Sequence, residues 1–371
     1  MSHKTSADDL AAARRSPLDK QIESWMEKRN VPGLAGCIVK GDKIVWSGGY
    51  GMADMTRNIR FTPDTLSQIA SVSKVITATA IMQLRDRGLL GLDEDVGKFM
   101  KFPVRNPRHP DQPITFAHLL THTSSIEDAD ALCSTYAVGD PTMSLEEVVS
   151  QYFTPEGSLW SRNNYGKHAP GTRECYSNAG FALLGYLVEL IGKQPLEEYL
   201  QQHIYCILGM TETSFYIAKL DSNRQARPYT YAKKFRAKLC DGDGDGNLLP
   251  PGVSPKVGYN EHALYSYPTL ADGMVRTSVK QLAQFMIAVM NGDTRLLKRE
   301  TINEMLSGKK QGLGWFRTGD YWGHDGGDPG YSTEMMFDPE TKVGFILFAN
   351  VDTNLKPVRA FLVADADAKT V

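Results

Sequence analysis

Strand-like sequence is confined to the two ends of this chain, and that limits the folds it can take. At the N-terminal end, Gly36 to Val39 and Ile44 to Ser47 flank the turn Lys40-Gly41-Asp42-Lys43, the signature of a hairpin. Near the C-terminus, Gly314 to Thr318, Tyr331 to Phe337 and Val343 to Phe348 read as strands, separated by turns such as Asp338-Pro339-Glu340-Thr341. Short connections favour antiparallel pairing, and strands this far apart in sequence share a sheet only if the two ends of the chain meet. The expected fold is α+β: an antiparallel β-sheet built from both chain termini and flanked by helices, with an inserted mainly helical domain. Residues 18–80 and 255–371 would form the discontinuous sheet domain, and 81–254 the insertion.

Helical signals fill the space between. Leu18 to Lys28 is amphipathic, and a long helical pattern runs from about Ser71 to Arg87, closed by Gly88. Thr115 is placed to cap FAHLLTH, and Ser144 with Glu147 makes a capping box. Asn178 to Ile191 is an apolar helix ending at Gly192, and Pro195 opens another. Ser278 with Gln281 reads as a second capping box, for LAQFMIAVM.

Charge excludes two classes of partner. The 371 residues carry a formal net charge of −2, with both signs interspersed, so neither a nucleic acid nor an anionic membrane surface is expected. No apolar run is long enough to span a membrane and the N-terminus lacks a signal-like apolar core, so the expected location is cytoplasmic. Five scattered cysteines (Cys37, Cys133, Cys175, Cys206, Cys240) indicate neither a zinc site nor a disulfide framework.

The chemistry centres on QIASVSKVITATAIMQL, where Ser71 and Lys74 stand three residues apart at a helix start. Positions i and i+3 share a helix face, so the ammonium can reach the hydroxyl. A serine hydroxyl is a weak nucleophile and needs such a partner. Ser73 faces elsewhere. The spacing alone is weak, since a chain this long holds roughly one S-x-x-K by chance; Ser307 and Lys310 make another. Taken alone, Ser71 reads more readily as a helix N-cap beside a solvated lysine. Two further elements change the balance. Tyr176-Ser177-Asn178 lies just before a helix, and His324-Asp325-Gly326 lies at the mouth of a strand.

These motifs, with ITFAHLLTHTSSI, PGTRECYSNAGFALLGYLVE and VGFILFAN, resemble the serine β-lactamase-related family from about residue 20 to 352. The likeness is to its class C β-lactamase, D-alanyl peptidase and family VIII carboxylesterase branch. That family usually has Gly where this chain has Ser125. The S-x-x-K, S-D-N and K-T-G set of class A β-lactamases and penicillin-binding proteins is here Ser71/Lys74, Tyr-Ser-Asn and His-Asp-Gly.

The resemblance implies a serine hydrolase without a cofactor. Ser71 would carry the acyl group, Lys74 would relay its proton, and Tyr176 would be the general base. Asn178 would orient Lys74, and His324 would line the leaving-group side. Gly326 closes the third motif, and the backbone N–H groups of Ser71 and Gly327 would form the oxyanion hole. The expected partner is a small ester or amide, with a carboxylesterase ranked above a D-amino-acid peptidase or amidase, an acyltransferase, or a β-lactamase. A non-catalytic binding or assembly protein of the same fold is the other class. The oligomeric state is left open.

Three weaker signals favour plain readings. The Asp241–Gly246 run begins like a calcium loop but has Gly252 where a bidentate Glu is needed. His118 and His122, four apart, lack the Glu of a zinc-protease helix, so no metal is expected. Cys175, beside Tyr176, reads as a buried thiol.

Overall fold

The computed structural model describes residues 16–232 and 258–368. Its frame is a seven-stranded antiparallel sheet. In chain order the strands are β1 (Gly33–Lys40), β2 (Lys43–Asp54), β3 (Ile59–Arg60), β4 (Phe316–Thr318), β5 (Tyr321–Asp328), β6 (Tyr331–Asp338) and β7 (Val343–Ala349). The spatial order is β4-β5-β6-β7-β1-β2-β3. The two ends of the chain therefore meet along one seam, where β1 pairs with β7 from Leu34↔Ala349 to Lys40↔Val343.

Helices cover both faces of that seam, and the strand sequences show it. A strand buried on both sides should read as a continuous apolar run, as GLAGCIVK does. Leu34 and Ile38 face α1 (Pro17–Arg29) and a C-terminal helix (Lys356–Ala368), packing with Leu18, Ile22, Trp25, Val358 and Leu362. The alternate residues Ala35, Cys37 and Val39 face the opposite core. Helix Val279–Asn291 lies in that core with Leu282, Phe285 and Met286.

The serine helix, α2, begins later than its sequence suggests. Ala70–Val72 forms a 3-10 turn and the α-helix runs Ser73–Asp86, so Ser71 sits in the tighter turn ahead of it. The helix has no side-chain cap at its N-terminus, so Ser71 does not serve as one. Helix α3, Asn178–Gly192, ends on left-handed Lys193 rather than at Gly192. Ser278 does accept the Gln281 N–H, but the Gln281 side chain is engaged by Glu212 N and Thr213 Oγ1. The reciprocal half of that expected capping box is therefore not made.

The sequence does not announce β3, β5 or the C-terminal helix. β5 escaped notice because GDYWGHDGGDPG is glycine-rich, which lowers strand propensity. The C-terminal helix was not assigned. The cysteine pattern also needs correcting: Cys133 is disulfide-bonded. Such pairing depends on how the fold brings two Cα atoms together, which spacing along the chain does not reveal. No helix among the described residues is long and apolar enough to cross a membrane.

Candidate active site

The turn that carries Ser71 is held under backbone strain. Ala70, just before the nucleophile candidate, has φ of +46°, a left-handed conformation that costs a residue with a Cβ about 1–2 kcal/mol. It persists because its neighbours are pinned. Ile69 N–H donates to Val275 O at 2.9 Å, and Thr333 Oγ1 on β6 donates to Ile69 O at 2.7 Å. β5 presses on the same turn. A Cβ at Gly326 would lie 2.6 Å from Ile69 O and 2.4 Å from Thr333 Oγ1, so only glycine fits. The third motif is thus brought against the first by close backbone approach.

Lys74 is the hub. Its side chain is fully buried, and Nζ donates to Ser71 Oγ (3.1 Å), Asn178 Oδ1 (2.7 Å) and the Asp272 carbonyl (2.7 Å). Three acceptors match the three donors of an ammonium, so its donor capacity is spent. Nζ also lies 4.9 Å from the centre of the Tyr176 ring. Tyr176 itself is 40% exposed, so it stands between the sealed lysine and solvent. Ser73, by contrast, accepts Val275 N–H in the core.

Tyr176, Ser177 and Asn178 are positioned by two residues that sequence does not connect to them. Asp128 accepts Asn178 N–H and Ala179 N–H, both at 2.9 Å, and Ser177 Oγ–H at 3.2 Å. A carboxylate at a helix N-terminus satisfies donors that the helix leaves open. Replacing Asp128 by alanine is expected to cost about 2 kcal/mol of stability. Thermal unfolding with calorimetric enthalpy measures it, and an unchanged midpoint would show that the cap is idle.

His122 is the second such residue. Its ring stacks on Tyr176 with centroids 4.3 Å apart. Its Nδ1 accepts Ser177 N–H at 3.1 Å, and its carbonyl accepts Cys175 N–H at 2.7 Å. Burial, with the Lys74 charge next, holds its imidazole well below the usual histidine range. His118 instead closes the Thr115 capping box. The described residues contain no group of three or more His, Cys, Asp or Glu side chains able to hold a metal. The Asp241–Gly246 run lies outside them.

His324 lies within β5, not at its mouth, and is buried. Its Nδ1 donates to the Asp325 carbonyl at 2.5 Å, leaving Nε2 as a buried acceptor with no partner. Burial, reinforced by the Lys74 charge, lowers its pKa to about 4. Gly327 follows at an exposed position opposite Ser332. Arg276, a cation that could compensate for a neutral His324, is unavailable. Its guanidinium is buried and donates to the carbonyls of Phe215, Met274 and Tyr265.

Ser307 and Cys175 lie outside this constellation chemically. Ser307 is exposed and donates to Glu304 O at 2.7 Å. Burial pushes the Cys175 thiol up, with Glu127 adding to the shift, which disfavours the reactive thiolate.

Every residue of this arrangement falls inside residues 18–368, which match the family model described as Beta-lactamase. The chain belongs to the Beta-lactamase family. Relatives of this Beta-lactamase family chain include Protein flp of Staphylococcus aureus (strain N315), 27% identical over 351 residues, covering 92% of this chain and 64% of that protein. The chain thus spans less than two thirds of that relative's length. Penicillin-binding protein 4* of Bacillus subtilis (strain 168) is 26% identical over 378 residues, covering 95% of this chain and 75% of that one. Among solved structures, D-amino acid amidase from Ochrobactrum anthropi SV3 in complex with D-phenylalanine is similar, with a TM-score of 0.74 at 22% identity, covering 95% and 100% of the two chains. The octameric penicillin-binding protein homologue from Pyrococcus abyssi has a TM-score of 0.70 at 25% identity, covering 90% and 72%.

Proposed function

We propose that the chain is a serine hydrolase that forms an acyl-enzyme on Ser71, and that its preferred substrate is a small ester. The observation that carries this reading is the buried Lys74 ammonium bridging Ser71 Oγ, Asn178 Oδ1 and the Asp272 carbonyl. A dead scaffold has no need to keep a lysine dry against a serine hydroxyl, because burying that charge is costly.

Ser71 Oγ attacks the acyl carbonyl while its proton passes through the Lys74–Tyr176 pair. The N–H groups of Ser71 and Gly327 hold the oxyanion. The leaving alkoxide takes the proton back, and water, activated by the same pair, releases the acid. Asn178 fixes Lys74 throughout, and His324 offers its bare Nε2 on the leaving-group side. An acceptor nucleophile other than water would make the protein an acyltransferase with the same first half-reaction.

Esters rank above β-lactams because of His324. A β-lactam carries a carboxylate beside its reactive amide, and an unpaired carboxylate wants a fixed cation. Losing one is worth about 1–3 kcal/mol. On sequence alone, an imidazolium at pH near 6 would supply that charge. Its burial removes the option, since a group with pKa about 4 stays neutral at pH 6. The expected result is a kcat/KM for a short p-nitrophenyl ester well above that for nitrocefin, in a ratio that does not fall between pH 8 and 5.5. Equal efficiency, or nitrocefin gaining on the ester as pH approaches 6, would contradict the assignment.

A further inference from the structure

The strand pair behind the third motif has a second face, and a cleft lies on it. Thr333 donates to Ile69 O on the serine turn, so its neighbours Ser332 and Glu334 point the other way. Asp325 on β5, paired with Glu334, shares that reverse face. The start of the C-terminal helix comes down on it. Thr353 N–H donates to Ser332 Oγ at 2.9 Å, and Arg359 Nη1 donates to Glu334 Oε1. Between helix and strands lies a cleft of about 210 Å³, with Asp325 and Glu334 on its strand side and Lys356 and Arg359 on its helix side. A single water needs only about 10–15 Å³ of such space, so the cleft has room for a small molecule.

The two walls carry opposite charge. Only one pair across them is closed, Glu334 with Arg359, whose side chains are 6% and 19% exposed. Arg359 keeps Nε and Nη2 without a described partner, and that edge of a guanidinium can take both oxygens of a carboxylate. Lys356 stands three residues earlier on the same helix face. Among the described residues, no hydrogen bond or ion pair engages Lys356 Nζ or the Asp325 carboxylate, and both residues are exposed. A lone anion entering the cleft would meet Asp325 and Glu334, and a lone cation would meet Lys356 and Arg359. A molecule with an ammonium at one end and a carboxylate at the other finds its complement on both walls.

Position gives such an occupant leverage. Asp325 lies between His324, whose Nδ1 donates to the Asp325 carbonyl, and Gly326, which packs on the serine turn because it lacks a Cβ. A ligand that draws on the Asp325 side chain therefore bears on the segment that runs into Gly327.

We propose that this cleft is a regulatory site for a small zwitterion, its carboxylate on Arg359 and Lys356 and its ammonium on Asp325, and that its occupation changes the rate of hydrolysis at Ser71. The binding stands apart from the acyl-enzyme reading, whereas the effect on rate rests on it.

The test is titration calorimetry on the full-length protein at low ionic strength, because salt screens exposed charges. The probes are glycine, β-alanine and 4-aminobutanoate, with butanoate and butylamine as controls that each carry one of the two charges. At least one zwitterion should bind roughly tenfold or more tightly than both controls. Lys356→Glu and Asp325→Asn, at exposed positions without a described side-chain partner, should each weaken it roughly fivefold or more. Equal binding of zwitterions and controls overturns the proposal. A zwitterion preference that survives both substitutions overturns it as well, since the ligand then sits elsewhere, the serine pocket included. Saturating zwitterion should also change kcat for a p-nitrophenyl ester by roughly twofold or more in the unmutated protein, and leave that of Lys356→Glu unmoved. An unmoved kcat in the unmutated protein removes the regulatory role alone. Fluorophosphonate labelling reports on the acyl-enzyme reading separately: a protein that binds the zwitterion but takes up no label removes the hydrolase reading and keeps the site.

Discussion

Ser71→Ala protein is expected to take up no fluorophosphonate, and its ester turnover to fall by about a thousandfold or more. Its melting temperature stays near that of the unmutated protein, because the hydroxyl makes a single described hydrogen bond, to Lys74, worth about 1 kcal/mol. Intact-mass measurement with peptide mapping checks both halves of the expectation. Ser307 is hydrogen-bonded to its own helix end in solvent, and Cys175 has a thiol that burial keeps protonated. An adduct on either residue would move the reaction elsewhere.

The second large effect concerns the proton path. Tyr176→Phe and Lys74→Met should each lower kcat/KM by about 10²–10⁴, the span for removing a general acid–base group. The double substitution should be little worse than the more damaging single one. Lys74 holds the serine and lies against the tyrosine ring, so either loss breaks one relay. Single-turnover kinetics on the four proteins of this cycle measure the coupling. Losses that multiply would mean that the two side chains work separately.

Much of the frame was legible in the sequence because strand and helix signals are local. The hairpin at Gly41-Asp42, the N-cap at Thr115, the capping box at Ser144, and the strands at Tyr331 and Val343 all rest on nearest neighbours in the chain. The sheet closing between its two ends followed from simple counting of strands. β5 did not, because its Gly326 serves a close contact with the serine turn that only the folded chain makes. The site divides along the same line. Ser71 and Lys74 are a three-residue motif and could be read directly. Asp128 and His122 act on Tyr176 from another segment, and no spacing rule connects them. His324 was visible, but its burial was not, and burial decides its charge. The Ser125 position is a smaller case. The family's glycine there made little sense from sequence, whereas φ of +63° explains it, since glycine is at ease in the left-handed region and serine is not.

The seam between β1 and β7 also sets an order of events during synthesis. β1 leaves the ribosome well before its partner β7 and cannot pair with it until that strand follows. Until then its apolar edge has no partner from the C-terminal strands, and Ser71 lacks the β5 wall against which its turn is pinned. Folding dominated by such distant pairings is slow and leaves strand edges open to wrong partners. On the proposed reading, the nucleophile is therefore made before the strand that would supply the Gly327 N–H to the oxyanion hole. The proposed reactivity toward acyl groups would then await the docking of the C-terminal strands.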